Sequence, residues 1–192
     1  MSRASSTVAI VAKAFAKAKT QGEVLTAYVK LRDLMVASGG QLSVDSRLDL
    51  IHRGALSVVF SWLNRGAGDA NFCVVMWSSA YTFAAKTKYD SSVVQSNMLL
   101  SFKDPREDES ARLVGAMTDW PVLAVKELEL RPCRSDVIHE LATFLSALSI
   151  VPEANPVMLH LLKPLIAVVG VLGAGRGGSA CLSVLRNLAS VG

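Results

Sequence analysis

The 192-residue chain reads as all-α, a right-handed stack of helices forming a solenoid, and three observations predict it. Apolar residues recur at spacings of three and four through most of the sequence, the period of a helix face rather than of a strand. Hydrophobic residues make up 51% and charged residues 19%, so many helices must be buried on more than one face, as stacked helices are. The third observation is an internal echo. Residues 141–151 lay over 181–191 with their apolar positions matched, Ala147 falling on Asn187 at an offset of 40. A period of that size belongs to helical solenoids, whose neighbouring units bury one continuous core.

The elements follow in order. Val8, Val11, Phe15 and Ala18 share a stripe that predicts a helix over 5–19. Val24, Tyr28, Leu31, Leu34 and Met35 do the same for 23–37, which Gly39-Gly40 ends, so that 1–42 form an N-terminal helical cap. Ser43 or Asp45 caps a short helix through Ile51, and Gly54 permits the sharp turn into an apolar helix over 55–64. After Arg65-Gly66-Ala67-Gly68, Asp69 caps a longer helix to Lys86 built on Phe72, Val75, Met76, Ala80, Phe83 and Ala84.

This order, with Gly54-Ala55-Leu56 opening the second helix and small residues along the third, resembles the armadillo repeat, whose units run short H1, H2 and long H3. The resemblance covers most of 43–192 and implies about three armadillo-like or HEAT-like repeats behind the cap. Residues 91–100 are predicted helical, and 103–109 form a charged loop with Pro105, Glu107 and Asp108. A second H1 spans 109–117, its H2 120–130 with Pro121 in the first turn, and its H3 135–151, capped by Ser135 or Asp136. Asn155-Pro156 opens the third H1, Pro164 lies at the start of its H2, and glycines 173–178 lead into an H3 over 179–191. The equivalent H3 positions Thr82 and Ala147 lie 65 apart, which places an irregular insertion at 89–108.

The segment 164–191 also has a rival reading. An apolar run, Leu165 to Val169, flows into Gly173-x-Gly175-x-x-Gly178 and then a helical pattern, the order strand, glycine loop, helix that holds a dinucleotide pyrophosphate. That fold also needs a second strand and an acidic residue about 20 positions beyond the glycines, whereas the chain ends at Gly192. A phosphate loop has no reason to recur at 40 residues. The solenoid reading makes 161–172 a buried helix and the glycines a turn.

Composition excludes other classes. The run 164–175 is short for the roughly 20 residues that cross a bilayer, and Lys163 and Arg176 bracket it, so no membrane insertion is expected. Cys73, Cys133 and Cys181 are odd in number and far apart, which suits reduced, mostly buried thiols and neither disulfides nor zinc. The net charge of +4 is spread along the chain, so nucleic acid is not indicated. No acidic residue precedes Glu23, while Arg3, Lys13, Lys17 and Lys19 punctuate an Ala- and Ser-rich stretch with the look of an organellar transit peptide.

No catalytic, cofactor or metal site is expected. His52, His139 and His160 are isolated, and His139-Glu140 lacks a second histidine four residues on. Asp104, Glu107, Asp108 and Glu109 alternate with Lys103, Arg106 and Arg112, the pattern of a solvated loop. Trp62, Trp77, Trp120 and Tyr81 read as core before they read as an aromatic surface. In peptide-binding armadillo proteins, H3 presents a Trp and an Asn to the groove. Only Asn187 matches that asparagine, with Thr82 and Ala147 at its equivalents, and Ser78, Thr143 and Ser183 at the tryptophan position. The resemblance therefore implies partner-facing residues Ser78, Thr82, Thr143, Arg186 and Asn187, in a groove suited to a helix or folded partner rather than a peptide backbone.

The expected function is a non-catalytic, cytoplasmic protein–protein scaffold working through its H3 face or an uncapped end, where the last H3 lacks a covering neighbour and self-association can occur. The alternative is an organellar helical-repeat subunit of a ribonucleoprotein or respiratory assembly, in the mitochondrial or another matrix; a nucleotide enzyme is the third class. Titration of the protein with NAD, FAD and ATP is expected to show no binding tighter than about millimolar. Tighter binding that Gly178→Val abolishes would overturn the scaffold expectation.

Overall fold

The computed structural model describes residues 3–65, 69–84, 107–151 and 154–191, and every regular element among them is a helix. In α1 (Arg3–Lys17), Val8, Val11, Ala12 and Phe15 are buried while Lys13 and Lys17 face water. Helix α2 (Gln21–Ala37) begins two residues before the predicted start, because Thr20 and Glu23 form a capping box that satisfies two free N–H groups reciprocally. It ends at Gly39 and Gly40, both at positive φ.

Helix α3 (Val44–His52) is capped by Ser43, whose hydroxyl accepts from the Ser46 N–H at 3.2 Å. Gly54, at φ +79°, makes the turn into α4 (Ala55–Arg65), a conformation that L side chains disfavour. Asp69 accepts from the Asn71 and Phe72 N–H groups at 3.0 and 3.2 Å and so starts α5 (Ala70–Ala84) as expected. The predicted helix over 91–100 and nearly all of the insertion lie outside the described residues.

Helix α6 (Glu107–Gly115) replaces the end of the predicted charged loop, since three consecutive acidic residues suit a helix N-terminus. Helix α7 (Asp119–Leu130) carries Pro121 in its first turn. Helix α8 (Ser135–Leu148) stops three residues short of prediction, and neither Ser135 nor Asp136 caps it. Asp136 instead binds the Arg134 guanidinium at 2.7 and 3.1 Å. The segment predicted as a third H1 is only α9 (Asn155–Met158) and a 3-10 turn over Leu159–Leu161, followed by α10 (Leu162–Leu172) and α11 (Arg176–Val191).

The core is organised around α8, which packs on α5 along one side and on α11 along the other. Phe144 of α8 stands at the centre of an aromatic cluster, 5.4 Å between ring centroids from Trp77 and 6.1–6.2 Å from Trp120 and Phe60. The tryptophans are therefore core, and the Trp120 indole N–H donates to the Gly115 carbonyl at 3.3 Å. Helices α4, α7 and α10 touch in chain order, and α1 lies against α2, α3 and α4. Phe15 of α1 meets Phe83 of α5 edge-on at 6.3 Å.

Helix α10 differs from the buried helix predicted for 161–172. Leu165 and Val168 face inward, yet Ile166 is 60% and Val171 55% exposed. The stretch Asn155–Leu172, which includes Lys163, is long and apolar enough by composition to cross a membrane, with a mean hydropathy of 1.7, and only 22% of it is buried. A helix apolar all round is here covered on one side only.

Arg131 and Glu127 form a buried ion pair. Just past the end of α7, Arg131 Nη1 donates to both oxygens of Glu127 at 2.8 and 2.7 Å, with side chains 9% and 2% exposed. Cys73 of α5 points its thiol at Glu127 Oε1, 3.7 Å away, and burial, then the Glu127 charge, pushes that thiol up to about 11. Breaking a buried pair strands a charge, whereas replacing both members with apolar groups does not. Glu127→Leu is expected to cost about 3–5 kcal/mol in urea unfolding, and Glu127→Leu with Arg131→Leu markedly less. Equal losses would show that the pair does not act as a unit.

Candidate functional site

The predicted partner-facing residues fall on α5, α8 and α11, the three helices that lie side by side. They are not equally available there. Thr82 is 7% exposed and spends its hydroxyl on the Ser78 carbonyl at 3.0 Å. Thr143 is half-buried and donates to the His139 carbonyl at 2.7 Å, four residues back on α8. Such back-bonded hydroxyls are small and self-satisfied, and they let neighbouring helices approach. Arg186 is exposed.

Asn187 joins helices. Its Nδ2 donates to Ser149 Oγ at 2.9 Å and Ser146 Oγ at 3.3 Å, while Ser149 donates to the Ser146 carbonyl at 2.8 Å. At the other end of the same pair, the Gly177 N–H donates to Ser135 Oγ at 3.0 Å. Early residues of α11 thus meet early residues of α8, and late meet late, so the two helices run parallel with partners 42 and 41 apart. Ser135, expected to cap its own helix, serves the next one.

Between these ends lies a cluster that the sequence did not single out as a unit. Glu140, on α8, has a side chain 12% exposed with the Arg176 guanidinium 3.8 Å away. Burial pushes its carboxyl above the ordinary range, and Arg176 and a hydrogen bond with Ser78 of α5 pull it back. Its neighbour His139 is held below its ordinary value by burial first and by Arg176 second, with a hydrogen bond to the Arg176 backbone acting the other way. Ser78, His139, Glu140 and Arg176 therefore tie all three helices together. The sequence carried no signal for it: an offset of 40 sets Asp136, not Glu140, opposite Arg176.

The glycine cluster has a packing explanation. The expected strand of the nucleotide reading is helix α10, so helix, turn, helix replaces strand, loop, helix. Gly173 turns the chain at φ +58°. A Cβ on Gly178 would stand 2.0 Å from the Gly173 carbonyl oxygen, and one on Gly177 2.8 Å from the Ser135 carbonyl oxygen. Close backbone approach demands glycine at both positions.

Among the described residues no three His, Cys, Asp or Glu side chains stand together as metal ligands. His52 and His160 are exposed, Cys133 is exposed, and Cys73 and Cys181 are buried. A cleft of about 350 Å³ between α4 and α7 is lined by Ser57, Ser61, Asn64 and Asp119 around Phe60 and Val122. Beside it Lys126 Nζ reaches the Asn64 carbonyl at 3.1 Å. One carboxylate among hydroxyls and an amide supplies hydrogen bonds without an acid–base pair. No family model matches the chain, and no curated protein or solved structure is significantly similar to it.

The depressed histidine makes stability depend on pH. Because the folded chain keeps His139 neutral where the unfolded chain protonates near 6.5, its contribution is complete above that value and is lost as pH falls towards the lower folded value. Glu140 acts in the opposite sense and lower down, stabilising below 4.5 and losing that contribution as pH rises through its raised folded value. The urea midpoint of the wild type is expected to fall more than that of His139→Gln between about pH 7 and pH 5. Parallel profiles would show that the imidazole is not held neutral.

Proposed function

We propose that the protein is a non-catalytic interaction scaffold: a short right-handed solenoid of three armadillo-like helix triplets behind an N-terminal cap, binding a partner protein. The observation that carries this reading is the order of contacts. Helices α5, α8 and α11 lie side by side, each preceded by shorter helical elements, and α4, α7 and α10 touch in the same sequence. Units that pack on their neighbours in chain order are what a solenoid makes. The parallel α8–α11 pairing near 40 residues supports the repeat further.

Two surfaces serve as contact faces in this proposal. One is the exposed strip of α11 that carries Leu182, Ser183 and Arg186, beside the three-helix seam. The other is the α10 side of the last layer, where large apolar side chains meet water. The organellar alternative draws on the exposed Lys13, Lys17 and Lys19, but α1 also places Phe15 wholly in the core, so removing it as a leader would open that core.

Affinity capture from native extract, with mass spectrometry, tests the scaffold role when wild type is compared with Ser183→Glu/Arg186→Glu and with Ile166→Glu/Val171→Glu. One variant pair is expected to lose a partner that the wild type retains, with helicity and urea midpoint unchanged. A capture profile identical for all three chains and for a heat-denatured control would sink the reading.

A further inference from the structure

We propose that the outward face of α10 seats an α-helix of another protein, one with an apolar stripe and an acidic residue at each end. The face consists of Ile166, Ala167, Gly170 and Val171, all exposed, with Lys163 at its start. A helix that packs on its own protein through Leu165 and Val168 should turn polar residues to water on the other side, and this one turns apolar ones.

Gly170 says what kind of body covers it. It lies inside the helix with ordinary backbone geometry, and a Cβ added there would meet nothing within 4 Å. Among the described residues neither a turn nor packing calls for glycine here, the poorest helix former after proline. Gly177 and Gly178 are explained by backbone they touch; Gly170, unlike the equally open Gly22 in the first turn of α2, lies inside its helix, and its open side leaves room for the backbone of a closely crossing helix. A bilayer surface would accept the same apolar side chains, and vesicle flotation separates the two occupants.

Charge then selects the partner. From residue 154 to the end there is no Asp or Glu, and Lys163 and Arg176 flank α10. Arg176 stands 3.8 Å from Glu140 yet keeps 64% of its side chain exposed. A second copy laid antiparallel would set Lys163 against Arg176, and a parallel one Lys163 against Lys163, both repulsive pairings. A helix with Asp or Glu at each end meets both cations.

This inference deepens the scaffold reading and rests on it. The full chain is titrated with two synthetic helical peptides of equal length and identical Leu/Ala stripe, one ending in Glu residues and one in Lys residues. The acidic peptide is expected to bind roughly tenfold tighter, with affinity falling as salt rises. Gly170→Leu is expected to weaken it roughly tenfold, while Gly22→Ala, at an open exposed position on α2, leaves it unchanged. Equal affinity for the two peptides, or wild-type affinity in Gly170→Leu, overturns the proposal. So does flotation of the chain with phosphatidylglycerol-containing vesicles at wild-type α10, or a concentration-dependent dimer in sedimentation that Gly170→Leu abolishes. If Gly170→Leu still captures every native partner, this inference falls while the scaffold reading stands.

Discussion

Everything in this fold depends on α8 being packed along both of its long sides. A helix in that position has almost no free perimeter, so its residues are either apolar and interlocked, as Leu141, Phe144 and Leu145 are, or polar with assigned partners, as Ser135, Glu140 and Ser149 are. The partners lie on α5 and α11, which fixes how far each of those helices can slide. Hydroxyls folded back on carbonyls one turn earlier keep the seams thin, and Phe144 anchors the middle against three other rings.

The α10–α11 corner shows how one sequence pattern serves two physical purposes. Of the glycines spaced as in a phosphate loop, Gly173 turns the chain and Gly178 lies against its carbonyl, while Gly177, outside that spacing, lies against the backbone at 135. The same requirement, no Cβ where backbone must approach, generates the motif in either setting. Spacing alone does not discriminate between them; the conformation of the residues before the glycines does, and those are helical.

Local signals were the legible part of the chain. Ser43, Gly54 and Asp69 act where their chemistry says they should, because a cap or a turn is decided within four residues. Helix faces with clear spacing, such as Val8, Val11 and Phe15, were legible for the same reason. What was not legible is decided across helices. Ser135 gave up its expected capping role to a glycine 42 residues away, and α8 ended early where Ser149 turns back on Ser146. Glu127 and Arg131, four apart, have the spacing of an ordinary surface pair and are instead buried against Cys73. The resemblance implies that Asn187 faces a partner; that its amide also joins Ser146 of α8 and Ser149 just beyond it could not be read from the sequence. Which side of an apolar helix stays uncovered is equally invisible in sequence, so α10 reads as interior because its composition is that of an interior helix.

The three thiols follow from the same packing. Cys73 and Cys181 are enclosed, and burial pushes both up to about 11, so neither offers appreciable thiolate at neutral pH. Cys133 sits in the open turn between α7 and α8. The native chain therefore presents one chemically addressable sulfur at the head of its central helix. A spin label or fluorophore attached there would report on the seam from which the other helices take their positions, without any engineered cysteine.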